Sequence, residues 1–321
     1  MSVVANPVRG VDYPATYQQL LAWFPDNGAC LEYLARLRWP EGFVCPACGH
    51  GEAWKTGQGL WMCKECERRT SVTAGTIFHR TRTPLSTWFA AIWFLTSQKN
   101  GMSALGLQRV LGFGSYETAW AWMQKLRRAM VRPERGRLAG VVELDEIMVG
   151  GVTPGSGGGY GDKMPVMIAL EHNDGRRLGR VRLAVAPRPG TTELVDWATK
   201  VIEPGSTIRT DGAQHLRRLA ALGYTHEYTT GYNAVDKASV LPGVHLVASL
   251  LKRWLIGTLH YRVEVHQLPY YLDEYTFRFN RRNAKSRGLL FYRLLEQAVA
   301  TDPHPLHQLL RPDEAPIPDF T

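Results

Sequence analysis

The sequence predicts an α/β protein with a mixed β-sheet, preceded by a small zinc-binding module and a helical segment. Three observations lead to this prediction. Four cysteines form two tight pairs near the N-terminus, apolar helical segments follow them, and apolar runs bounded by Gly, Asn and Asp come next. Strands first, then alternating helices and strands, and finally helices are typical of an α/β core with a mixed sheet.

Length and charge limit the class of protein. A chain of 321 residues, with 45% hydrophobic residues, suits two or three domains. Its net charge of +9 favours a polyanionic partner such as nucleic acid, although a basic enzyme without such a partner is the alternative. The N-terminus lacks a signal-peptide pattern and no apolar run is long enough to span a membrane, so we expect a cytoplasmic protein.

The cysteines predict a structural zinc site. Cys45 and Cys48 form one C-x2-C pair, and Cys63 and Cys66 form the second, with fourteen residues between the pairs. This spacing is typical of four thiolates around one tetrahedral Zn²⁺, as in a zinc ribbon. Cysteines used in this way suit a reducing cytoplasm, and we expect the remaining Cys30 to be buried and inert.

The first 133 residues are expected to contain three segments. Residues 1–38 form an N-terminal helical segment, residues 39–82 the zinc ribbon, and residues 83–133 a helical DNA-binding segment. In the last, Ser103 and Ser115 are placed as the N-caps of two helices joined by a short turn, a helix-turn-helix pattern. An ordinary helical hairpin is the alternative. The basic end of the second helix is expected to contact DNA through Lys125, Arg127 and Arg128.

The remaining chain is expected to form the catalytic core and a tail. Residues 137–298 contain three apolar runs that read as consecutive antiparallel strands, at residues 140–151, 164–173 and 178–187. A helix, two short strands separated by a further helix, and a helical region from Val244 onward follow. The Pro-rich residues 299–321 are expected to form a loose C-terminal tail.

Two aspartates at strand ends are the candidate metal ligands of this core. Asp145 lies in VVELDE, and Asp211 ends the short strand of IRTDG. A buried carboxylate needs a neutralising cation, and two that converge can hold Mg²⁺ or Mn²⁺. Alternatively, Asp211 caps a turn with Gly212. Strand alternation puts Glu143 on the face of Asp145 and Glu146 on the other, so the pattern alone does not select one acid.

The order of the motifs supplies a resemblance. A zinc ribbon and a Trp-rich helical segment precede ELDE with VGG, then TDG, SLLKR and YLDEYTFRFNRR. Over residues 20–295 this order resembles the bacterial insertion-sequence transposases, which join an N-terminal zinc ribbon to a DDE-type, ribonuclease-H-like core. The resemblance implies an enzyme of DNA recombination that binds terminal inverted repeats and cuts there. It then joins the 3′-OH at each cut end to target DNA, in a reaction that uses divalent metal ions. A homo-oligomer holding two DNA ends, at the nucleoid of a bacterial cytoplasm, is implied as well.

Four residues match the catalytic positions of that family. The resemblance makes Asp145 the first catalytic acid, Asp211 the second, His245 the occupant of the variable third position, and Lys252 the accompanying basic residue. Seven residues are nearly two helical turns, so His245 and Lys252 are expected on one helix face. Lys252 would contact a phosphate of the DNA end.

His245 is an unusual occupant of the third position. A neutral imidazole can ligate a metal but brings no negative charge, so binding should be weaker or favour Mn²⁺ over Mg²⁺. The alternatives are a structural histidine with Glu143 or Asp236 as the third ligand, or no third ligand. With a non-functional His245, the chain would bind DNA without cutting it.

A second basic region is expected to line a DNA channel. It combines the helix around Lys252 with the segment RFNRRNAKSRG, where aromatic residues are interleaved. The alternative is a solvated helix end. The predicted DNA-contacting residues here are Lys252, Arg253, Arg278, Arg281 and Arg282.

These observations predict a DDE-type DNA transposase with a structural Zn²⁺ and a catalytic Mg²⁺ or Mn²⁺. Its partners would be the double-stranded ends of its element and target DNA. Two alternatives remain open at this point. One is a non-enzymatic DNA-binding protein or regulator derived from a transposase, and the other is a ribonuclease-H-type nuclease that does not join strands.

Overall fold

The structure is a computed structural model in which two compact units can be described. The first unit contains the described residues up to Met130 and those from Asn283 onward, and the second contains the described residues from Val131 to Arg282. None of the helices in the described ranges combines the length and apolarity needed to cross a membrane. The described residues are 6–132, 135–150, 163–174, 177–186, 192–229, 240–259 and 265–310.

The N-terminal part of the first unit combines helices with a three-stranded ribbon. Its strands pair antiparallel in the order β1-β2-β3. The predicted N-terminal helices and the ribbon are therefore both present. The elements are α1 (Tyr17–Trp23), α2 (Asn27–Arg38), β1 (Ala53–Lys55), β2 (Trp61–Cys63), β3 (Arg69–Thr70), α3 (Leu85–Ser97), α4 (Ala104–Leu111) and α5 (Tyr116–Arg128).

Helices α4 and α5 begin at the serines that the sequence indicated. The Ser103 hydroxyl accepts a hydrogen bond of 3.0 Å from the Gly106 amide, and Ser115 accepts one of 3.1 Å from Glu117. Each bond satisfies an amide that has no partner within its helix. Helix α4 ends at Gly112, whose φ of +69° is a left-handed conformation that favours glycine. Both predicted N-caps are confirmed.

The second unit contains one mixed sheet with helices on both faces. The sheet has the order β6-β5-β4-β7-β8, with antiparallel β4, β5 and β6 and parallel β4, β7 and β8. This arrangement confirms the predicted α/β fold with a ribonuclease-H-like mixed sheet. The elements are β4 (Val141–Val149), β5 (Met164–Asn173), β6 (Arg177–Val185), α6 (Glu193–Val201), β7 (Thr207–Thr210), a 3-10 helix (Gln214–Leu222), β8 (Thr225–Tyr228), α7 (Pro242–Leu259) and α8 (Leu268–Asn280).

Alternation along β4 decides which of its side chains meet which helix. Val142 and Leu144 are buried in the core that includes α6. Ile147 and Val149 point the other way, into the core formed with α7 and α8. Because side chains two apart share a face, Asp145 lies on the side of the sheet that α7 covers.

The chain ends with α9 (Arg287–Ala298) and α10 (Leu306–Leu310), which pack in the first unit. The Phe291 ring of α9 lies 5.7 Å from the rings of Phe89 and Trp93 on α3. The predicted core extended to residue 298, whereas these aromatic contacts assign α9 to the first unit. Helix α10 lies within the predicted tail and contacts α5, and residues 311–321 are outside the described part.

Candidate active site and metal centres

The four predicted zinc ligands lie together in the ribbon. The Sγ atoms of Cys45 and Cys66 are 3.6 Å apart, those of Cys48 and Cys63 are 3.6 Å apart, and those of Cys48 and Cys66 are 3.5 Å apart. Four sulfurs about 2.3 Å from one ion would be separated by about 3.8 Å, so the cluster matches a tetrahedral Zn²⁺ site.

Two similar backbone turns present these sulfurs. The Gly49 amide donates to the Cys45 carbonyl at 2.9 Å, and the Glu67 amide donates to the Cys63 carbonyl at 3.1 Å. Gly49 has a φ of +76° and Glu67 a φ of +56°, so both turns close through a left-handed residue. Backbone amides of Cys48 and Ala47 lower the pKa of the Cys45 thiol to about 6, which favours the thiolate that binds a metal.

An aromatic cluster supports the ribbon from one side. The Trp61 ring stacks on Phe43 with a centroid distance of 5.7 Å, and Trp39 packs against both rings. Cys45 and Cys63 are buried in this cluster. A closed set of four sulfurs with no open position fits a structural zinc, which holds the ribbon in shape.

Asp145 was predicted at a strand end, but it lies near the middle of β4, which continues to Val149, and it is partly buried on the α7 face. Burial raises the pKa of its carboxyl to about 6, while the Glu146 amide, which donates to Oδ1 at 2.7 Å, acts in the opposite direction. The charge of Asp211 raises this pKa further, and His245 lowers it. The fold thus brings Asp211 and His245 into electrostatic range of Asp145.

Asp211 follows β7, the parallel neighbour of β4. The two strands pair Val141 with Thr207 and Glu143 with Arg209. Two more residues in this register lead from Glu143 to Asp145 and from Arg209 to Asp211, in agreement with the effect of the Asp211 charge on the pKa of Asp145. The Oδ1 atom of Asp211 also accepts a hydrogen bond of 3.0 Å from the Ala213 amide. The turn-capping interpretation is therefore correct as well, and it leaves the second oxygen of this exposed carboxylate for a ligand.

His245 and Lys252 lie along one groove on α7. The groove has a volume of about 480 Å³, and Ile147 of β4 forms part of its wall. The predicted shared helix face is confirmed by this common lining. The lining residues are Ile147, His245, Ala248, Ser249, Lys252, Arg253 and Ile256.

The carboxylate site is looser than the cysteine site. Within the described residues, the four cysteines form the one group of three or more candidate ligands whose donor atoms all lie within 4.8 Å of one another. The set of Asp145, Asp211 and His245 therefore spans a greater distance. Its donors, two carboxylates and an imidazole, nevertheless fit Mg²⁺ or Mn²⁺ chemically. No described lysine or arginine forms an ion pair with Asp145, which leaves its partly buried charge to be neutralised by a cation.

Glu143, an alternative third metal ligand in the sequence analysis, has other partners in the structure. Its side chain is 4% exposed, and its two oxygens contact the His172 ring and the Val244 amide. These contacts argue against Glu143 as the third metal ligand. Asp236, the other candidate, lies outside the described residues.

The structure places several of the predicted DNA-contacting arginines in structural contacts. Arg127 is 2% exposed, and Arg278 pairs with the buried Glu274 at 2.8 Å. Arg281 stacks on the Phe277 ring at 4.1 Å, and Arg282 donates to the carbonyls of Leu178 and Gly179. These guanidinium groups bind an aromatic ring, a buried carboxylate and backbone carbonyls. A run of basic residues in the sequence therefore does not by itself indicate a basic surface available to DNA.

The basic end of α5 is also partly covered. Burial lowers the pKa of Lys125. Burial, followed by the charges of Arg128 and Lys125, lowers the pKa of His304 to about 4, so His304 lies near both cations. By contrast, Lys252 and Arg253 face the groove on α7.

Comparison with known proteins agrees with the predicted family. Residues 137–280 match the ISXO2-like transposase domain, and residues 25–69 match the transposase zinc-ribbon domain. The chain is also similar to an uncharacterized protein in transposable element ISH50 of Halobacterium salinarum. The two are 26% identical over 280 residues, which cover 76% of this chain and 88% of the relative. The predicted resemblance to insertion-sequence transposases is thereby confirmed, since residues 25–69 are similar to a transposase zinc ribbon and residues 137–280 to an ISXO2-like transposase domain.

Proposed function

We propose that this protein is a DDE-type DNA transposase that binds the terminal inverted repeats of its element and catalyses metal-dependent cleavage and strand transfer. The pairing of β4 with β7 carries this proposal, because it brings two carboxylates together without a basic partner among the described residues. Such a pair is suited to divalent cations and hence to phosphoryl transfer. The matches to two transposase domains support the same conclusion.

Each residue of the site has a proposed role. Asp145 and Asp211 would hold Mg²⁺ or Mn²⁺, and His245 would be the third ligand through a neutral ring nitrogen. The bound cation would supply the positive charge that offsets the negative charge developing at the reacting phosphate. With one ligand neutral, the set carries less negative charge than three carboxylates, so we expect a preference for Mn²⁺.

The groove on α7 would receive the DNA backbone next to the reacting phosphate. Lys252 and Arg253 lie along it with His245, so their charges flank the proposed catalytic position. Cationic side chains of this kind contact phosphates without reading the base sequence. Lys252 is therefore assigned to the phosphate of the DNA end and Arg253 to a neighbouring phosphate.

The first unit would recognise the ends of the element. The zinc ribbon and the α4–α5 pair are the modules that this proposal assigns to end binding, since modules of both kinds bind DNA in other proteins. Two ends must be held together before joining, so the active form would be a homo-oligomer in a synaptic complex. Such an enzyme would act at the nucleoid, in the cytoplasm.

The decisive experiment uses purified zinc-loaded protein and a labelled duplex carrying the inverted repeats that flank its gene. With Mn²⁺ or Mg²⁺, we expect cleavage at the repeat end and joined products on a target plasmid. Asp145→Ala and Asp211→Ala should abolish both products. Asp196→Ala is the matched control, because Asp196 is an exposed carboxylate on α6, on the opposite face of the sheet.

Each alternative has its own outcome in this experiment. End binding with no metal-dependent cleavage by the wild-type chain would identify a DNA-binding protein derived from a transposase. Cleavage without joined products would identify a ribonuclease-H-type nuclease. Activity that survives both aspartate substitutions would refute the assigned catalytic acids.

A further inference from the structure

Glu143 has contacts that neither a metal ligand nor a solvated acid would make. It lies two residues before Asp145 on β4, and its side chain is almost fully buried. Its Oε2 atom accepts a hydrogen bond of 2.7 Å from the Val244 amide. Its Oε1 atom lies 2.9 Å from Nε2 of His172, on the neighbouring strand β5, whose side chain is 7% exposed.

The Val244 contact fixes the start of α7. Val244 is the third residue of this helix, so its amide has no acceptor within the helix. A carboxylate at this position satisfies the amide, and its negative charge is favourable beside the positive end of the helix dipole. Charge-assisted hydrogen bonds of this kind are about twice as strong as neutral ones. Glu143 thus holds the first turn of α7 against β4.

The backbone at this contact approaches the sheet closely. A Cβ atom on Gly243 would lie 2.6 Å from Cδ2 of Leu170 and 2.9 Å from Oε2 of Glu143. It would also lie 3.1 Å from Nε2 of His172. Only a residue without a side chain allows this approach, so Gly243 and Glu143 act together to set the distance between the helix and the sheet.

The next residue of the helix is His245. Its amide donates to the Leu241 carbonyl at 3.0 Å, within the turn that Glu143 holds. Asp145 is two positions beyond Glu143 on the same face of β4. We propose that Glu143 is a positioning residue that anchors the start of α7 to β4 and thereby holds His245 beside Asp145. This inference rests on the proposed function, which makes Asp145 and His245 ligands of one cation.

The test measures Mn²⁺ affinity of the zinc-loaded full chain by electron paramagnetic resonance, without DNA and without turnover. Residues that support metal ligands typically change metal affinity about 10- to 100-fold when removed. We therefore expect Glu143→Ala to weaken Mn²⁺ binding at least tenfold. Glu143→Gln, which keeps an oxygen acceptor for the Val244 amide, should recover most of the loss.

A double-mutant comparison separates positioning from direct ligation. If Glu143 acts through His245, then His245→Ala should weaken Mn²⁺ binding in the wild-type chain but change it less than about threefold in the Glu143→Ala chain. If the factors by which Glu143→Ala and His245→Ala weaken Mn²⁺ binding simply multiply in the double mutant, the two residues act independently and the inference is wrong. Gly243→Ala provides a second test of positioning, because it displaces the start of α7 without altering the Glu143 carboxylate. It should weaken Mn²⁺ binding to a degree similar to that of Glu143→Ala.

Glu171→Ala is the matched control for loss of a buried acid. Glu171 is buried on β5 and binds Arg180 and the Ala139 amide, away from the start of α7. Its substitution should lower thermal stability but leave Mn²⁺ affinity within about twofold. Equal losses of affinity in Glu171→Ala and Glu143→Ala would refute a specific role for Glu143. If Asp145→Ala leaves Mn²⁺ affinity unchanged, the proposed metal site itself fails, whatever Glu143 does.

Discussion

Replacing Asp145 with asparagine removes a carboxyl group that the fold partly buries beside a second carboxylate. The raised pKa means that the metal-free folded protein disfavours the ionised form of Asp145. A change from 3.8 to about 6 corresponds to about 3 kcal/mol, at about 1.4 kcal/mol per pH unit. Because Asp145 is incompletely buried and solvent screens part of this effect, we expect Asp145→Asn to stabilise the metal-free protein by about 1–2 kcal/mol at pH 8.

The stabilisation of the protein by Asp145→Asn should increase as the pH rises. Between pH 4 and 6 the folded wild-type chain holds a proton on Asp145 that the unfolded chain has lost, so its free energy of unfolding falls as the pH rises. Asparagine does not titrate. The advantage of Asp145→Asn should therefore be complete above pH 6 and should disappear as the pH falls towards 4.

Urea denaturation of zinc-loaded, Mn²⁺-free protein at several pH values measures this difference. Asp196→Asn, an exposed substitution, should leave the profile unchanged. Adding Mn²⁺ at 100 times its dissociation constant should stabilise the wild-type chain by about 2.7 kcal/mol and the Asp145→Asn chain much less. A destabilising Asp145→Asn, or a gain independent of pH, would refute the inference that the carboxylate is held at an energetic cost for metal binding.

Three further results are expected. Cys63→Ser should remove the bound zinc, unfold the ribbon and weaken binding to end DNA. The Mn²⁺ affinity of the second unit should stay intact, and its loss would contradict the separation of the two metal sites. His245→Glu adds a third carboxylate, so it should shift the activity optimum from Mn²⁺ towards Mg²⁺ in cleavage assays, and an unchanged preference would argue against ligation by this position. Gly288→Ala should destabilise the first unit by about 1–3 kcal/mol in thermal unfolding, because the added Cβ would overlap the Pro14 carbonyl oxygen. Gly257→Ala, which meets nothing within 4 Å, should instead be neutral or stabilising.

Local features were predictable from the sequence because short-range rules determine them. The cysteine spacing identified the zinc ligands, and the serines before α4 and α5 identified two helix starts. The apolar runs bounded by turn residues identified β4, β5 and β6 as consecutive antiparallel strands. In each case the relevant partners lie within a few residues or on adjacent strands, where periodicity and turn chemistry are sufficient.

The roles of the basic residues were much less predictable. A run such as RFNRRN shows positive charge but not what each guanidinium group contacts. Arg278 meets a buried glutamate one helical turn away, and Arg282 reaches backbone carbonyls more than 100 residues earlier in the chain. Contacts of this kind depend on packing between elements distant in sequence, so the composition of the segment carries no information about them.

The sequence by itself determined the class of the protein: a zinc ribbon, a helical segment and a mixed-sheet core with two aspartates at defined places. Only the tertiary structure decided how the site is assembled. The parallel pairing of β4 with β7 brings Asp211 into electrostatic range of Asp145, and the close contact at Gly243 lets Glu143 hold the start of α7. The reason is physical, since strand pairing across 66 positions and helix–sheet distance arise from the packed core rather than from any local pattern.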